Sequence, residues 1–239
     1  MQTNQHSVLI TGGATGIGLA IARKFHAAGN RVILVGRSQA MLEQAASALP
    51  GVEICSADVA VAADRERLVR DYPGIDVLVN NAGMQVNGNI IDLQPADIER
   101  EMSVNFLAPV LLSQAFLPLL LRRPAAAIIN VSSGLALTPK QDASIYCASK
   151  AALHSHSQSL RWQLENTPVR VFEVLPPLVD TAMTAGRGKG KISPEQLAEE
   201  FWSGFCNDRF EMLIGKCKLL AAMLRLAPKR AARIIRPGV

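Results

Sequence analysis

Val8-Leu9-Ile10-Thr11 running into Gly12-Gly13-Ala14-Thr15-Gly16-Ile17-Gly18 is the stretch that decides the fold of this chain. A short apolar strand enters a glycine-rich turn, and the turn opens a helix predicted to reach about Ala28, where Gly29-Asn30 stops it. Glycine at 12, 16 and 18 allows a tight turn and a close approach of backbone to a pyrophosphate, which would rest on the helix N-terminus. Three glycines alone would also suit plain tight packing. Their strand–turn–helix context is what points to a dinucleotide.

The pattern repeats outward from that turn. Strands are expected at Arg31–Val35, Val52–Cys55, Asp76–Asn80, Ala126–Val131 and Val169–Leu175, separated by helices at Ser38–Leu49, Asp64–Asp71, Pro95–Leu121 and Ile145–Glu165. The long helix is expected to bend near Pro109 or Pro118. Repeated βα units with short links imply an α/β fold: a Rossmann-type, doubly wound, mostly parallel sheet with helices on both faces. No repeat or linker divides the sequence, so residues 1–239 are expected to form one domain. Within it, 183–208 reads as a substrate lid, because Thr184–Lys191 is rich in Gly, Arg and Lys. Ser193-Pro194-Glu195-Gln196 combines an N-cap, a proline at N1 and a capping-box Gln, starting a helix to about Cys206. Phe210–Ile214 reads as a last strand, and 215–239 as a C-terminal helical extension of two short amphipathic helices broken at Pro228.

Charge singles out that extension. The net charge is +5, yet residues 215–239 hold seven Lys and Arg and no acid, leaving the remainder slightly acidic. The body is therefore no nucleic-acid binder. The leucines at 219, 220, 224 and 226, with Met223 beside Lys216, Lys218 and Arg225, could rest on an anionic membrane surface, but packing on the body or on a partner subunit is the favoured reading. The first residues show neither a basic nor an apolar signal segment, and no uninterrupted apolar run approaches the ~20 residues that span a bilayer. Cys55, Cys147, Cys206 and Cys217 lack metal or redox spacing and are expected as reduced thiols of a cytoplasmic protein. His6, His26, His154 and His156 read as structural or surface residues, and no metal is expected.

The end of the second strand discriminates between cofactors. An NAD site usually carries Asp or Glu there for the ribose 2′-hydroxyl. Val35-Gly36-Arg37-Ser38 offers no carboxylate, and Arg37 and Ser38 can hold a 2′-phosphate by charge-assisted contacts. NADP(H) is expected over NAD(H).

Tyr146-Cys147-Ala148-Ser149-Lys150 places a phenol and an ammonium one helical turn apart on one face. A fixed cation nearby favours a phenolate, so the Tyr146 pKa is expected to fall from about 10. Ser133 closes an apolar run thirteen residues upstream. The only other tyrosine, Tyr72, lies in a turn without such company.

Together these motifs resemble the classical short-chain dehydrogenase/reductase family. The resemblance covers roughly three quarters of the chain, from Val8 to about Met183, and rests on the glycine turn, Asp58-Val59, Asn80-Asn81-Ala82-Gly83, Asn105, Ser133, Tyr146-x-x-x-Lys150 and Pro176–Thr181. It implies a cofactor site of Gly12, Thr15, Gly16, Ile17, Gly18, Arg37, Ser38, Asp58, Val59, Asn81, Ala82, Gly83, Tyr146, Lys150 and Val179. In it Asp58-Val59 meets the adenine, Asn81 the adenosine ribose and Val179 the carboxamide. It further implies Tyr146 as general acid/base, Lys150 lowering its pKa and binding the nicotinamide ribose, Ser133 polarising the substrate carbonyl, and Asn105 holding a relay water. The partners implied are a small carbonyl or alcohol and further copies of the chain as a dimer or tetramer. Val171–Met183 also looks like a bacterial subgroup named for the lipoteichoic acid D-alanylation locus, which assigns no substrate.

One departure stands out: Pro177 follows Pro176 where the family usually has Gly. Met84, Leu135 and Leu137, with Phe201 and Trp202 if the lid closes, suggest an apolar substrate. The rival reading is a non-catalytic dinucleotide sensor or scaffold. Loss of Tyr146, Lys150 or Ser133 would favour it, and all three are present.

Overall fold

The computed structural model describes residues 3–237, so the outermost two residues at each end of the expected domain lie outside the described residues. Seven parallel strands form one sheet in the order β3-β2-β1-β4-β5-β6-β7. They are β1 (Ser7–Thr11), β2 (Arg31–Gly36), β3 (Glu53–Ser56), β4 (Val77–Asn80), β5 (Ala126–Val131), β6 (Val169–Leu175) and β7 (Glu211–Leu213). Strands β1, β4 and β5 are buried throughout, which explains their apolar runs: helices cover both faces of the sheet.

The order reverses between β1 and β4. Chain segments leaving these two strands diverge to opposite sides, and the crevice at their carboxyl ends is where such sheets bind ligands. A hydroxyl stitches this seam together. Thr11 Oγ1 donates to the Val79 carbonyl (3.2 Å) and accepts from the amides of Asn81 (3.0 Å) and Ala82 (3.1 Å).

One core layer forms beneath α1 (Gly16–Ala27) and α2 (Gln39–Ser47), with Phe25, Leu34, Leu42 and Phe172 at its centre. The other lies beneath α3 (Ala62–Asp71) and α5 (Ala108–Leu120), around Leu68, Leu112, Phe116 and Ile128. Ahead of α5, the α4 helix (Pro95–Met102) continues through a π-helical turn at Ser103–Leu107. The expected bend is this widened turn. Pro109 has no N–H for the Asn105 carbonyl four residues upstream, so the ladder must open before it. Pro95–Leu120 is long and apolar enough by composition to cross a bilayer, but Leu112, Phe116 and Leu120 face the sheet as in a core helix.

The lid expected over 183–208 is shorter than its composition suggested. Helix α7 (Pro194–Cys206) starts with the predicted capping box, Ser193 and Gln196 exchanging bonds of 3.0 and 3.1 Å. It then presents Leu197, Phe201 and Phe205 at helical spacing, all fully buried against α1. Phe25 meets Phe201 at 6.0 Å and the edge of Trp202 at 5.2 Å between ring centroids. Phe201 is thus a core residue with the partly buried Trp202 packed beside it, and neither lines the two cavities described below. The exposed flap is confined to residues 185–191, between a short turn at Ala182–Thr184 and a bridge joining Val179 to Ile192.

Helices α8 (Cys217–Leu226) and α9 (Pro228–Ile235) break at Pro228 as predicted. They fold back on the body. The Gln141 amide donates to the Arg236 carbonyl (2.9 Å), and Arg236 Nε donates to Gln141 Oε1 (3.0 Å). This ties the extension to the loop that precedes α6 (Ser144–Gln163).

Candidate active site

The glycine turn is shaped by contacts that exclude side chains. Gly12 has φ of +63°, and a Cβ there would lie 2.9 Å from Asn81 Nδ2. A Cβ on Gly18 would come within 2.2 Å of the Gly12 carbonyl oxygen. Asn81 holds this turn from the neighbouring strand, its Nδ2 donating to the carbonyls of Thr11 (3.0 Å) and Gly12 (3.1 Å). Its Nδ2 is thereby engaged by the loop, and Ala82 and Gly83 beside it line the cleft in which ribose contact was expected.

That cleft has a volume of about 460 Å³ and is lined by Gly12, Thr15, Arg37, Ser38, Asp58, Val59, Ala82 and Gly83, among others. Arg37 and Ser38 follow β2 at its rim, both exposed. Ser38 also caps α2, accepting from the Met41 amide at 3.4 Å. Asp58, the one carboxylate lining it among the described residues, is neutralised by an ion pair with Arg100. Burial works to raise the Asp58 pKa, but the Arg100 bond, the Ala60 amide and the charges of Arg100 and Arg37 hold it below the usual carboxylate range. Arg100 belongs to no motif and escapes a reading of the sequence. It lies 42 residues from Asp58, and only the fold joins them.

At the carboxyl ends of β5 and β6 a second cavity, of about 330 Å³, receives Ser133, Tyr146 and Val179 and also Ile17. The Ser132-Ser133 pair divides its work. Ser132 Oγ donates to the Val174 carbonyl on β6 (3.3 Å), whereas Ser133 lines the cavity and accepts from the Leu135 amide (3.1 Å). Tyr146 and Lys150 share one face of α6, with Lys150 Nζ 5.8 Å from the phenol ring centre. Lys150 is 4% exposed and donates to the Val131 carbonyl at 2.9 Å. Burial pushes its pKa down to about 8, opposed by the charges of Glu173 and Glu101.

The expected fall in the Tyr146 pKa is reversed. Burial pushes the phenol up to about 12, against a hydrogen bond from Ser133 and the charge of Arg187, which favour the phenolate. The spacing argument counted a neighbouring cation but not the loss of water, and Lys150 Nζ is turned to Val131 instead.

Asn105 lies within the π-helical turn and is fully buried. Its side chain is committed to protein: Oδ1 accepts from the Met84 amide (2.9 Å), and Nδ2 donates to the Met84 carbonyl (2.9 Å) and Ser149 Oγ (3.1 Å). These bonds bring the segment after β4 close to Lys150, for a Cβ on Gly83 would lie 3.3 Å from Asn105 Oδ1 and 3.7 Å from Lys150 Nζ. One turn before Asn105, Glu101 is 1% exposed. Its Oε1 accepts from the Val86 amide at 3.2 Å while Oε2 finds no partner among the described residues, and burial raises its pKa. Nothing in the sequence separates this carboxylate from ordinary helix-surface acids.

The remaining candidates settle into structural places. His154 Nδ1 pairs at 2.8 Å with Glu173, which is fully buried on β6, and His156 packs edge-on against Phe106. Met84 lines the first cleft and Leu135 the second cavity, whereas Leu137 lines neither. Pro177 lines the second cavity, and a Cβ on Gly215, just ahead of α8, would lie 3.5 Å from its Cγ.

Residues 6–191 match the short chain dehydrogenase family. An oxidoreductase of Bacillus subtilis (strain 168) named DltE, itself described as uncharacterised, is 41% identical over 89% of both chains. A short-chain dehydrogenase of Burkholderia cenocepacia J2315 solved with NADP superimposes with a TM-score of 0.90 at 26% identity, over 99% of this chain and 100% of that one. One from Sphingobium yanoikuyae solved with NADPH gives 0.83 at 29% identity, over 97% and 96%. In sequence and in fold, the chain belongs to the short-chain dehydrogenase family of oxidoreductases.

Proposed function

We propose that this oxidoreductase transfers hydride between NADP(H) and a small carbonyl or alcohol, with Tyr146 as the general acid/base. The observation that carries this reading is the convergence of Ser133 and Tyr146 in one cavity with Val179, next to a cleft where Arg37 has no ion pair among the described residues. The turn at Gly12 and Gly18 leaves room for backbone alone, which suits a pyrophosphate. Arg37 and Ser38 stand where a 2′-phosphate would lie, and no unpaired carboxylate opposes it. Similar proteins solved with NADP, with NADPH and with NADH support a nicotinamide dinucleotide here, and the preference for NADP(H) rests on Arg37 and Ser38.

When bound, the nicotinamide supplies or accepts the hydride. Ser133 orients the carbonyl oxygen by donating a hydrogen bond, and Tyr146 gives that oxygen its proton. A phenol near pKa 12 is protonated at neutral pH, so the site favours reduction there, and oxidation gains as pH rises. Lys150, near pKa 8, carries its charge at neutral pH and steadies the developing phenolate. The Asn105 side chain positions the Met84 segment, and its carbonyl, which Pro109 deprives of the usual intrahelical donor, would hold a relay water. Four free cysteines suit a reducing cytoplasm, and a homo-oligomer remains part of the proposal. Reduction of a ketone panel with NADPH deuterated at C4 tests the chemistry. Deuterium at the carbinol carbon is the expected result, and its absence with every ketone would refute hydride transfer.

A further inference from the structure

The second cavity is built in part by the C-terminal extension. Leu220, Met223 and Ile235 of α8 and α9 line it together with Pro177 and Leu178. Its charged lining residues are all basic: Lys140, Arg187, Lys189 and Lys216, with no Asp or Glu. Lys140 is paired with Asp142 at 3.1 Å. The acids nearest in sequence to the others are engaged elsewhere, Asp180 by Lys191 (3.1 Å) and Glu200 by Lys218 (2.6 Å). Arg187, Lys189 and Lys216 therefore have no ion-pair partner among the described residues. Arg187 and Lys216 touch only carbonyls, those of Met183 and Gly190.

An apolar chamber ringed by unpaired cations is complementary to a molecule with an apolar body and one anionic end. We propose that the cavity selects amphiphilic anions: carbonyl or alcohol substrates whose apolar body lies between α8/α9 and Pro177-Leu178, and whose carboxylate or phosphate is held by Arg187, Lys189 and Lys216. This deepens the proposed oxidoreductase reading and rests on it. Arg187 and Lys189 come from the flap, and Lys216 comes from the segment just ahead of α8. A Cβ on Gly190 would lie 2.7 Å from Lys216 Nζ, so flap and extension meet at the charged rim. The charge of Arg187 is felt at the Tyr146 phenol, so the flap lies near the reactive end of the chamber.

Calorimetric titration of the full chain, saturated with NADP+, tests this with octanoate, octyl phosphate and octanol as probes. At least one anion should bind about tenfold or more tightly than octanol, and the better anion identifies the group the rim prefers. The double variant Lys189→Glu/Lys216→Glu should abolish that difference with thermal midpoint and NADP+ affinity unchanged, whereas Lys229→Glu/Arg233→Glu, away from the cavity, should preserve it. Equal affinity for octanol and the anions, no binding of any probe, or loss of NADP+ affinity in the rim variant would each overturn the proposal. Binding here needs no turnover. A chain that discriminates between the probes but moves no deuterium would refute the hydride-transfer reading alone.

Discussion

A Cβ placed on Gly134 would come within 2.5 Å of Cys217 Sγ, so the turn that carries Ser133 and the first residue of α8 are packed too closely for any side chain between them. Gly134 also donates its amide to the Pro176 carbonyl (2.9 Å), beside the Pro177 that departs from the family pattern. The C-terminal extension is thereby fixed to the strand ends that hold the candidate catalytic residues.

This contact can be tested by exchange. Gly134→Ala should push α8 outward, lower stability by about 1–3 kcal/mol as overpacking does, and raise KM more than it lowers kcat. Adding Cys217→Ala removes the opposing sulfur and should restore both thermal midpoint and KM. A double variant no better than the single one would show that the two residues do not communicate.

Arg37→Asp reverses the charge at the rim of the cofactor cleft. Losing one charge-assisted bond costs about 1.5–3 kcal/mol, so NADPH should bind roughly ten- to a hundredfold more weakly while NADH binds as well or better. Cofactor affinities measured by fluorescence titration check this. An unchanged NADPH preference would remove Arg37 from the site.

Lys150 predicts a pH signature in stability. Its folded pKa of about 8 lies below the reference of 10.5, so below pH 8 the full cost of a buried charge is carried, and between pH 8 and 10.5 the unfolded chain holds more protons than the folded one. Stability should therefore rise with pH between 8 and 10, through this group, before the Tyr146 phenol acts in the opposite sense between 10 and 12. Lys150→Met should abolish that rise and be about 1–3 kcal/mol more stable than the native chain at pH 7, although inactive. Chemical denaturation across this range decides it. A native chain whose stability is flat from pH 8 to 10, or a variant less stable at pH 7, would contradict a charged, buried Lys150.

Much of this was legible because the signals are local. The glycine turn, the alternation of strand and helix and the capping box at Ser193 each fix the backbone within a few residues. What escaped the sequence depends on distant partners. Phe201 reads as a lid residue until Phe25 of α1 is seen beneath it. Arg100 and Glu101 are ordinary helix residues until the fold sets one against Asp58 and buries the other. The pair Tyr146 and Lys150 was found by spacing, yet the direction of the phenol's pKa was not, because spacing carries charge but no information on burial. The basic extension was visible as a run of cations and leucines, while its place over the candidate active site depends on Gly134 and Gln141, far upstream.

The most direct test is NADPH oxidation with a carbonyl panel by the native chain and by Tyr146→Phe. Phenylalanine keeps the ring and loses the hydroxyl that carries the proton. Turnover of at least one carbonyl, falling by about 10²–10⁴-fold in the variant with NADPH affinity unchanged, is the predicted result. Equal turnover by the two proteins would contradict the assignment of Tyr146 as the proton donor.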